Sequence, residues 1–420
     1  MADLKMRPVA IAHDYLTQRG GAERVVLALL KAFPEAAVYT SIYHSEKTFP
    51  EFRDVEIHAT FLNHLKPMRA RHRLLFPALA PTFSRLRVPA EVTVCSSSGW
   101  AHGVAAAGRK VVYCHNPARW LYQAEQYLGE HRGVAGLALK ALGPSLRRWD
   151  RRQAATADRY LTSSRVVQSR IAANYGVDAE VVPPPPPVTL SGDLEPVPGI
   201  DPGYFLCVSR LLPYKHVDQV VEAFCMLSAE RLVIVGTGPL ARQLRAKQTM
   251  NMKVLSQVND PQLRWLYQNC AGLVAASHED FGLTPLEAAT FGKPSATLAW
   301  GGFLDTVLPG LTGIMFDKPE PEAIASAIRE LKQHSWDTAT LQAHARAYSL
   351  NRFVERLRGI VEEEQLQFRT KAQEVDTRRS IPAVSAIASA KQPHAGFQAQ
   401  RDQEPHAARR PPRASQGPKP

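Results

Sequence analysis

The sequence predicts an α/β protein of two doubly wound domains facing a cleft, with a disordered basic tail after them. Three observations predict it. Short apolar β-type runs alternate with helical patterns in both halves of the chain, the order that builds parallel sheets covered by helices. Five consecutive prolines, Pro183 to Pro187, separate the two halves with stiff extended chain that cannot continue a sheet. The stretch after about Arg369 is rich in Ala, Pro, Gln and Arg and nearly free of aromatic residues, so it cannot bury enough apolar surface to offset its chain entropy. At 420 residues the chain also exceeds one core of usual size.

The first domain is expected over residues 1–185. Pro8 to His13 is a short strand, and Gly20-Gly21 opens the helical pattern AERVVLALLKAF. A strand, a glycine turn and a helix begin a doubly wound domain, and the glycines either let backbone approach a phosphate or sugar or simply make a tight turn. From Leu62 to Ala90 the chain carries Lys66, Arg69, Arg71, Arg73, Arg85 and Arg87, no acidic residue, and interleaved Leu, Phe and Met. This pattern suits an anionic membrane surface, and equally a basic hairpin folded onto its own domain, with Pro67, Pro77, Pro81 and Pro89 breaking any long helix. Glu91 to Ser98 and Lys110 to Cys114 read as strands, which places His115, followed by Asn116-Pro117, at a strand end. There it could donate to a sugar hydroxyl or a developing charge, or be a packed structural histidine. Arg147 to Ala157 reads as a basic helix, DRYLTSS as a strand, and SRVVQSRIAANYG as a helix stopped by Gly176.

A proline-rich linker is expected over 186–202 and the second domain over 203–350. GYFLCVS, ERLVIVG, MKVLSQV and GLVAAS read as strands, with the loop from Arg210 to Lys215 after the first and Thr237-Gly238-Pro239 after the second. The stretch HEDFGLTPLEAATFGKP follows, with Glu279 and Glu287 on either side of the turn Phe281-Gly282-Leu283 that leads into a helix. Loops and helix N-termini at the carboxyl ends of parallel strands are where open α/β sheets bind ligands and anions. Thr284 to Glu287 also reads as a capping box, in which Glu287 would bond back to the Thr284 N–H. A terminal helix over 351–368 crosses back towards the first domain, and 369–420 is the tail.

The formal charge of +12 points to an anionic partner, but nine basic against four acidic residues from Lys371 onward place +5 of it in the tail. No recognition helix or RNP-like aromatic set accompanies the basic residues, which argues against nucleic acid as the partner. The five cysteines lack metal-ligand spacing and read as buried free thiols in a reducing compartment. With no cleavage-like leader and no apolar run of membrane-span length, the protein is expected to be cytoplasmic, peripheral on the inner face of the cell membrane where the basic segment docks.

Arg210 and Lys215 either clamp a diphosphate or belong to a solvated loop; the Phe281 turn offers N–H donors, and the two glutamates accept hydroxyls. With GGAER at Gly20 to Arg24, YCHNP around His115, SRLLPYK at Ser209 to Lys215 and VGTGP at Val235 to Pro239, the stretch EDFGLTPLE resembles the retaining glycosyltransferases of family 4, whose GT-B fold sets two Rossmann-like domains face to face. The resemblance covers roughly residues 8 to 366. It implies a nucleotide-sugar donor, no metal and no further cofactor. It implies that Glu279 holds donor-sugar hydroxyls, Glu287 the ribose, Arg210 and Lys215 the leaving diphosphate, and that His115 reaches the sugar from the first domain. Gly20 and Gly21 match the loop over the diphosphate, and Gly236, Phe281, Gly282 and Leu283 complete the donor-binding set; Asp305 stands where relatives often carry Glu. The whole pattern resembles bacterial mannosyltransferases of polysaccharide and lipid-linked oligosaccharide assembly, which implies GDP-mannose as donor and a membrane-linked glycan or lipid as acceptor. A UDP-sugar is the alternative donor, and a non-catalytic scaffold the alternative of another class.

Overall fold

A computed structural model describes residues 6–65, 76–123 and 134–380. Much of the basic segment, including Lys66, Arg69, Arg71 and Arg73, lies outside the described residues, as does the tail from 381 onward.

The first domain is built on strands β1 (Arg7–His13), β2 (Ala37–Thr40), β3 (Ile57–Ala59), β4 (Ala90–Ser97), β5 (Arg109–Cys114), β6 (Arg159–Thr162) and β7 (Glu180–Val181). They form one parallel sheet in the order β3-β2-β1-β4-β5-β6-β7. Both faces are covered, so its strands are apolar throughout rather than alternating. Ala10, Ala12, Cys95 and Val112 pack into one core, while their chain neighbours Ile11, Val94, Val111 and Tyr113 pack into another on the opposite face. Helices α1 (Gly21–Ala32), α2 (Phe76–Arg85), α3 (Val134–Ala154) and α4 (Arg165–Tyr175) belong to this half. Helix α4 is capped by Ser164 and ended by Gly176 at φ 67°.

The second domain repeats the plan with β8 (Tyr204–Val208), β9 (Leu232–Val235), β10 (Met252–Leu255), β11 (Cys270–Ala275), β12 (Ser295–Leu298) and β13 (Gly313–Phe316), parallel in the order β10-β9-β8-β11-β12-β13. Phe205, Cys207 and Ile234 face one core, and Tyr204, Leu206 and Val233 the other. Helices α5 (Val217–Cys225), α6 (Asp260–Asn269), α7 (Leu283–Thr290), α8 (Pro321–Gln333) and α9 (Thr338–Arg346) complete it. Helix α9, capped by Asp337, has no counterpart in the sequence reading.

Helix α10 runs from Leu350 to Ser380, past Arg369 where the sequence predicts order to end. Its Phe353, Leu357, Ile360 and Val361 join the core of the first domain around Ile11 and Val94. Arg159 reaches Glu363 at 2.5 Å and Arg109 reaches Glu364 at 2.6 Å alongside that core. The run from Pro183 to Pro187 is coil. All five cysteines are free, but Cys225 is exposed because it ends α5 on the outer surface; the other four are buried. No helix among the described residues is long and apolar enough to cross a membrane.

Leu357 is fully buried in the first domain's core. Replacing Leu357 by Ala is expected to cost about 3 kcal/mol of stability. A urea midpoint that drops with little change in slope is the expected result; an unchanged midpoint would show that the helix contributes nothing there.

Candidate active site

In each sheet the order reverses direction once, between β1 and β4 in the first and between β8 and β11 in the second. At such a switch point the loops after neighbouring strands diverge to opposite faces and leave a crevice. The loops after β1, β4 and β5 thus face those after β8 and β11, and a cleft of about 790 Å³ lies between them. Gly20, Gly21, His115, Arg210, Lys215 and Glu279 line it, as do Phe281, Gly282, Leu283 and Glu287.

Lys215 ends a short 3-10 turn, Pro213–Lys215, and is only 6% exposed. Its ammonium donates to a carboxylate oxygen of Glu279, which also accepts the Ser277 hydroxyl at 3.0 Å. Burial would raise the Glu279 carboxyl, but the Lys215 charge and hydrogen bond, with Ser277 and Arg119, outweigh it and hold the carboxyl below its ordinary value. Arg210 is exposed to the cleft and donates to Tyr214 Oη at 2.9 Å.

Glu287 differs from the sequence reading. Helix α7 is capped by Gly282, without a side-chain bond, so Thr284 already lies inside the first turn and no capping box forms. The buried Glu287 carboxylate accepts the Tyr267 hydroxyl instead, and burial raises it above its ordinary value despite that bond and the Arg24 charge. Gly282 sits at φ 81°, a region that favours glycine, where a Cβ would strike the Phe303 ring at 2.4 Å. Behind it Gly302 presses against the Phe281 backbone, its N–H bonded to the Glu279 carbonyl at 2.9 Å, so the glycine pair at 301–302 fixes the height of the motif in the cleft.

Gly20 precedes α1, and Glu23 reaches back to its N–H at 3.0 Å, while Gly21 has open space where a side chain would stand. His115 bonds to Ser96 Oγ at 2.8 Å through Nε2. Burial, then the charges of His13 and Arg119, push it down to about 3, so the ring is neutral. Gly236 follows β9 and is not among the residues that line the cleft; a Cβ there would lie 1.8 Å from the Ser209 carbonyl, so glycine permits that close approach.

Asp280 was legible only as part of a motif, yet it carries the contacts across the cleft. Its carboxylate accepts from Asn116 at 2.7 Å and from Arg170 at 2.7 Å and pairs with Arg119, while Ser164 Oγ donates to its carbonyl. Asp305 adds a further bond, accepting the Arg165 N–H at 2.8 Å. A shorter acid is thus used here to hold the start of α4. Arg24 and Arg264 also line the cleft; Arg24 stood in view within GGAER, while nothing in the sequence singles out Arg264.

Two facing parallel sheets with a cleft of this kind define the GT-B class of fold. Residues 19–188 match the family model Glycosyltransferase Family 4 and residues 196–349 the model Glycosyl transferases group 1, and the chain belongs to these glycosyltransferase families. The D-rhamnosyltransferase WbpZ of Pseudomonas aeruginosa is 29% identical over 209 residues, 47% of this chain and 54% of that protein. The O-antigen chain mannosyltransferase C of Escherichia coli is 30% identical over 140 residues, 30% of this chain and 36% of that protein. The chain therefore spans about half the length, or less, of these curated relatives. Anabaena HepE, solved in complex with UDP and glucose, superposes with a TM-score of 0.60 at 16% identity, covering 85% of this chain and 99% of that one, a likeness of fold.

Replacing Lys215 by Met is expected to raise the Glu279 titration midpoint, because the opposing charge is lost while burial stays. Since the folded-state value is depressed, the pair stabilises the protein above the unfolded glutamate's range, and this is lost as pH falls through the folded value. Carboxyl NMR of Glu279 measures the midpoint, and an unmoved midpoint would remove Lys215 as its cause.

Proposed function

We propose that this protein is a retaining, metal-independent hexosyltransferase that moves mannose from GDP-mannose onto a membrane-linked glycan or lipid acceptor in surface polysaccharide synthesis. The observation that carries the reading is the pair of buried Lys215 and half-buried Glu279 at one switch point, facing Gly20, Gly21 and His115 across the cleft. In this reading residues 1–185 form the acceptor side and 203–350 the donor side. The likeness to a D-rhamnosyltransferase and an O-antigen mannosyltransferase supports a hexose of the mannose type.

The chemistry required explains the residues. Cleaving the bond between the sugar C1 and the diphosphate oxygen sends the electron pair to the diphosphate and leaves positive charge on the ring. Fixed cations beside the diphosphate stabilise that transition state more than the ground state, the role assigned to Arg210 and Lys215. The free N–H groups of Phe281 through Thr284 at the start of α7 add fixed dipoles aimed at an anion. Glu279, kept ionised by Lys215, accepts sugar hydroxyls; Glu287, with Tyr267 behind it, accepts from the ribose. The acceptor hydroxyl attacks C1 from the face the diphosphate leaves, and its proton passes to a diphosphate oxygen. No enzyme nucleophile takes part. The basic, acid-free segment over 62–90 supports docking on an anionic membrane surface, where such an acceptor is held.

Titrating the purified protein with GDP-mannose, UDP-glucose, UDP-galactose and UDP-N-acetylglucosamine tests the donor. Saturable binding and slow hydrolysis of GDP-mannose are expected; selective turnover of a UDP-sugar would replace the nucleotide, and no binding at all would end the reading. In the same assay Lys215→Ala is expected to lower kcat by on the order of 10²-fold. Sedimentation with anionic vesicles checks docking: the intact protein should bind, and neutralising Arg69, Arg71 and Arg73 should release it.

A further inference from the structure

At the switch point of the first sheet His13, Ser96 and His115 touch in series, with Glu23 beside His13. Glu23, while holding the Gly20 N–H, stands 3.9 Å from His13 Nε2. His13 Nδ1 lies 3.1 Å from the Ser96 carbonyl oxygen and 3.1 Å from Ser96 Oγ. Ser96 Oγ lies 2.8 Å from His115 Nε2. His13, Glu23 and Ser96 are each at most 2% exposed, so water does not complete their bonds.

What each group can donate fixes the direction of the whole series. A carboxylate and a carbonyl oxygen only accept. His13 Nδ1 meets the Ser96 carbonyl, so that nitrogen carries hydrogen, while Nε2 faces the Glu23 carboxylate at 3.9 Å, too far for a hydrogen bond but close enough for its charge to act. The charges beside it agree: burial opposes protonation, but Glu23 and Asp14 outweigh burial, and the neutral His115 ring does not compete. Ser96 Oγ accepts from His13, and its one hydrogen is left for His115 Nε2. That nitrogen must then offer a lone pair, which puts the single proton of the neutral ring on Nδ1.

We propose that His13 and Ser96 are positioning residues that hold His115 as the Nδ1–H tautomer, so that it meets a ligand in the cleft as a hydrogen-bond donor to oxygen. A hydroxyl or phosphate oxygen at that place is accepted; an ammonium group there finds no acceptor. Glu23, beside the same histidine, also ties down the Gly20 N–H of the glycine loop. The tautomer is a property of the free protein, while its use towards a sugar hydroxyl rests on the donor-site reading above.

The test uses full-length protein labelled with 15N-histidine, in which long-range proton–nitrogen correlations separate the two neutral tautomers from imidazolium. The His115 signals are identified by their loss in His115→Gln. At pH 7, without ligand, His115 is expected as Nδ1–H and His13 with hydrogen on its Nδ1. Ser96→Ala removes the hydroxyl proton and should move His115 to the Nε2–H form, while Glu23→Gln, which keeps the Ser96 carbonyl as acceptor for His13 Nδ1–H, should leave His115 as Nδ1–H. A wild-type His115 in the Nε2–H form overturns the proposal, as does a folded Ser96→Ala protein with an unchanged His115. If the tautomers come out as expected while no nucleotide-sugar binds, the donor-site reading falls and the assignment of the series stands.

Discussion

One residue, Asp280, meets the first domain from four partners: Asn116 and Arg119 from the segment after β5 and Arg170 from α4 at its carboxylate, and Ser164 at its backbone carbonyl. A partly buried charge is tolerable only when neutralised and hydrogen-bonded, and here every one of those partners comes from across the cleft. Asp280 sits between Glu279 and Phe281, so the contact that holds the halves together also holds the ligand-facing backbone. With Gly302 pressed beneath the same backbone, the motif is fixed from both sides.

The cleft is electrostatically asymmetric in a useful way. On the second domain Lys215 and Glu279 pair inside it, which keeps Glu279 ionised and orients Lys215 without exposing it to bulk water. On the first domain His13 and Glu23 lie behind it, and burial, followed by the charges of His13 and Arg119, leaves His115 neutral beside the cleft. Each pair stands by the switch point of its sheet: His13 ends β1 and Glu23 lies in α1, while Lys215 and Glu279 lie in the segments that follow β8 and β11.

Much of the fold was legible because it rests on local patterns. Apolar runs of four to seven residues, glycine turns and the proline run each constrain the backbone within a few residues. Helix α9 escaped because its sequence lacks a long apolar stripe, and its start depends on the Asp337 cap. The Thr284 capping box failed for a related reason: Gly282 at positive φ starts the helix earlier and leaves Glu287 facing Tyr267. Gly236 has a requirement that its place in VGTGP does not reveal, the close approach of backbone to the Ser209 carbonyl.

The sequence by itself determined the two α/β halves, the break between them, and the chemical types at the cleft, since strand order along the chain delivers Arg210, Lys215, Glu279 and His115 to strand ends whatever the packing. It could not decide who pairs with whom. Lys215 and Glu279 are far apart along the chain, His13 and Ser96 likewise, and Asp280 and Arg170 belong to different domains. Those partnerships exist only once each sheet has its strand order and the domains face each other, because ion pairs and shared protons act over a few ångströms and carry no period along the chain.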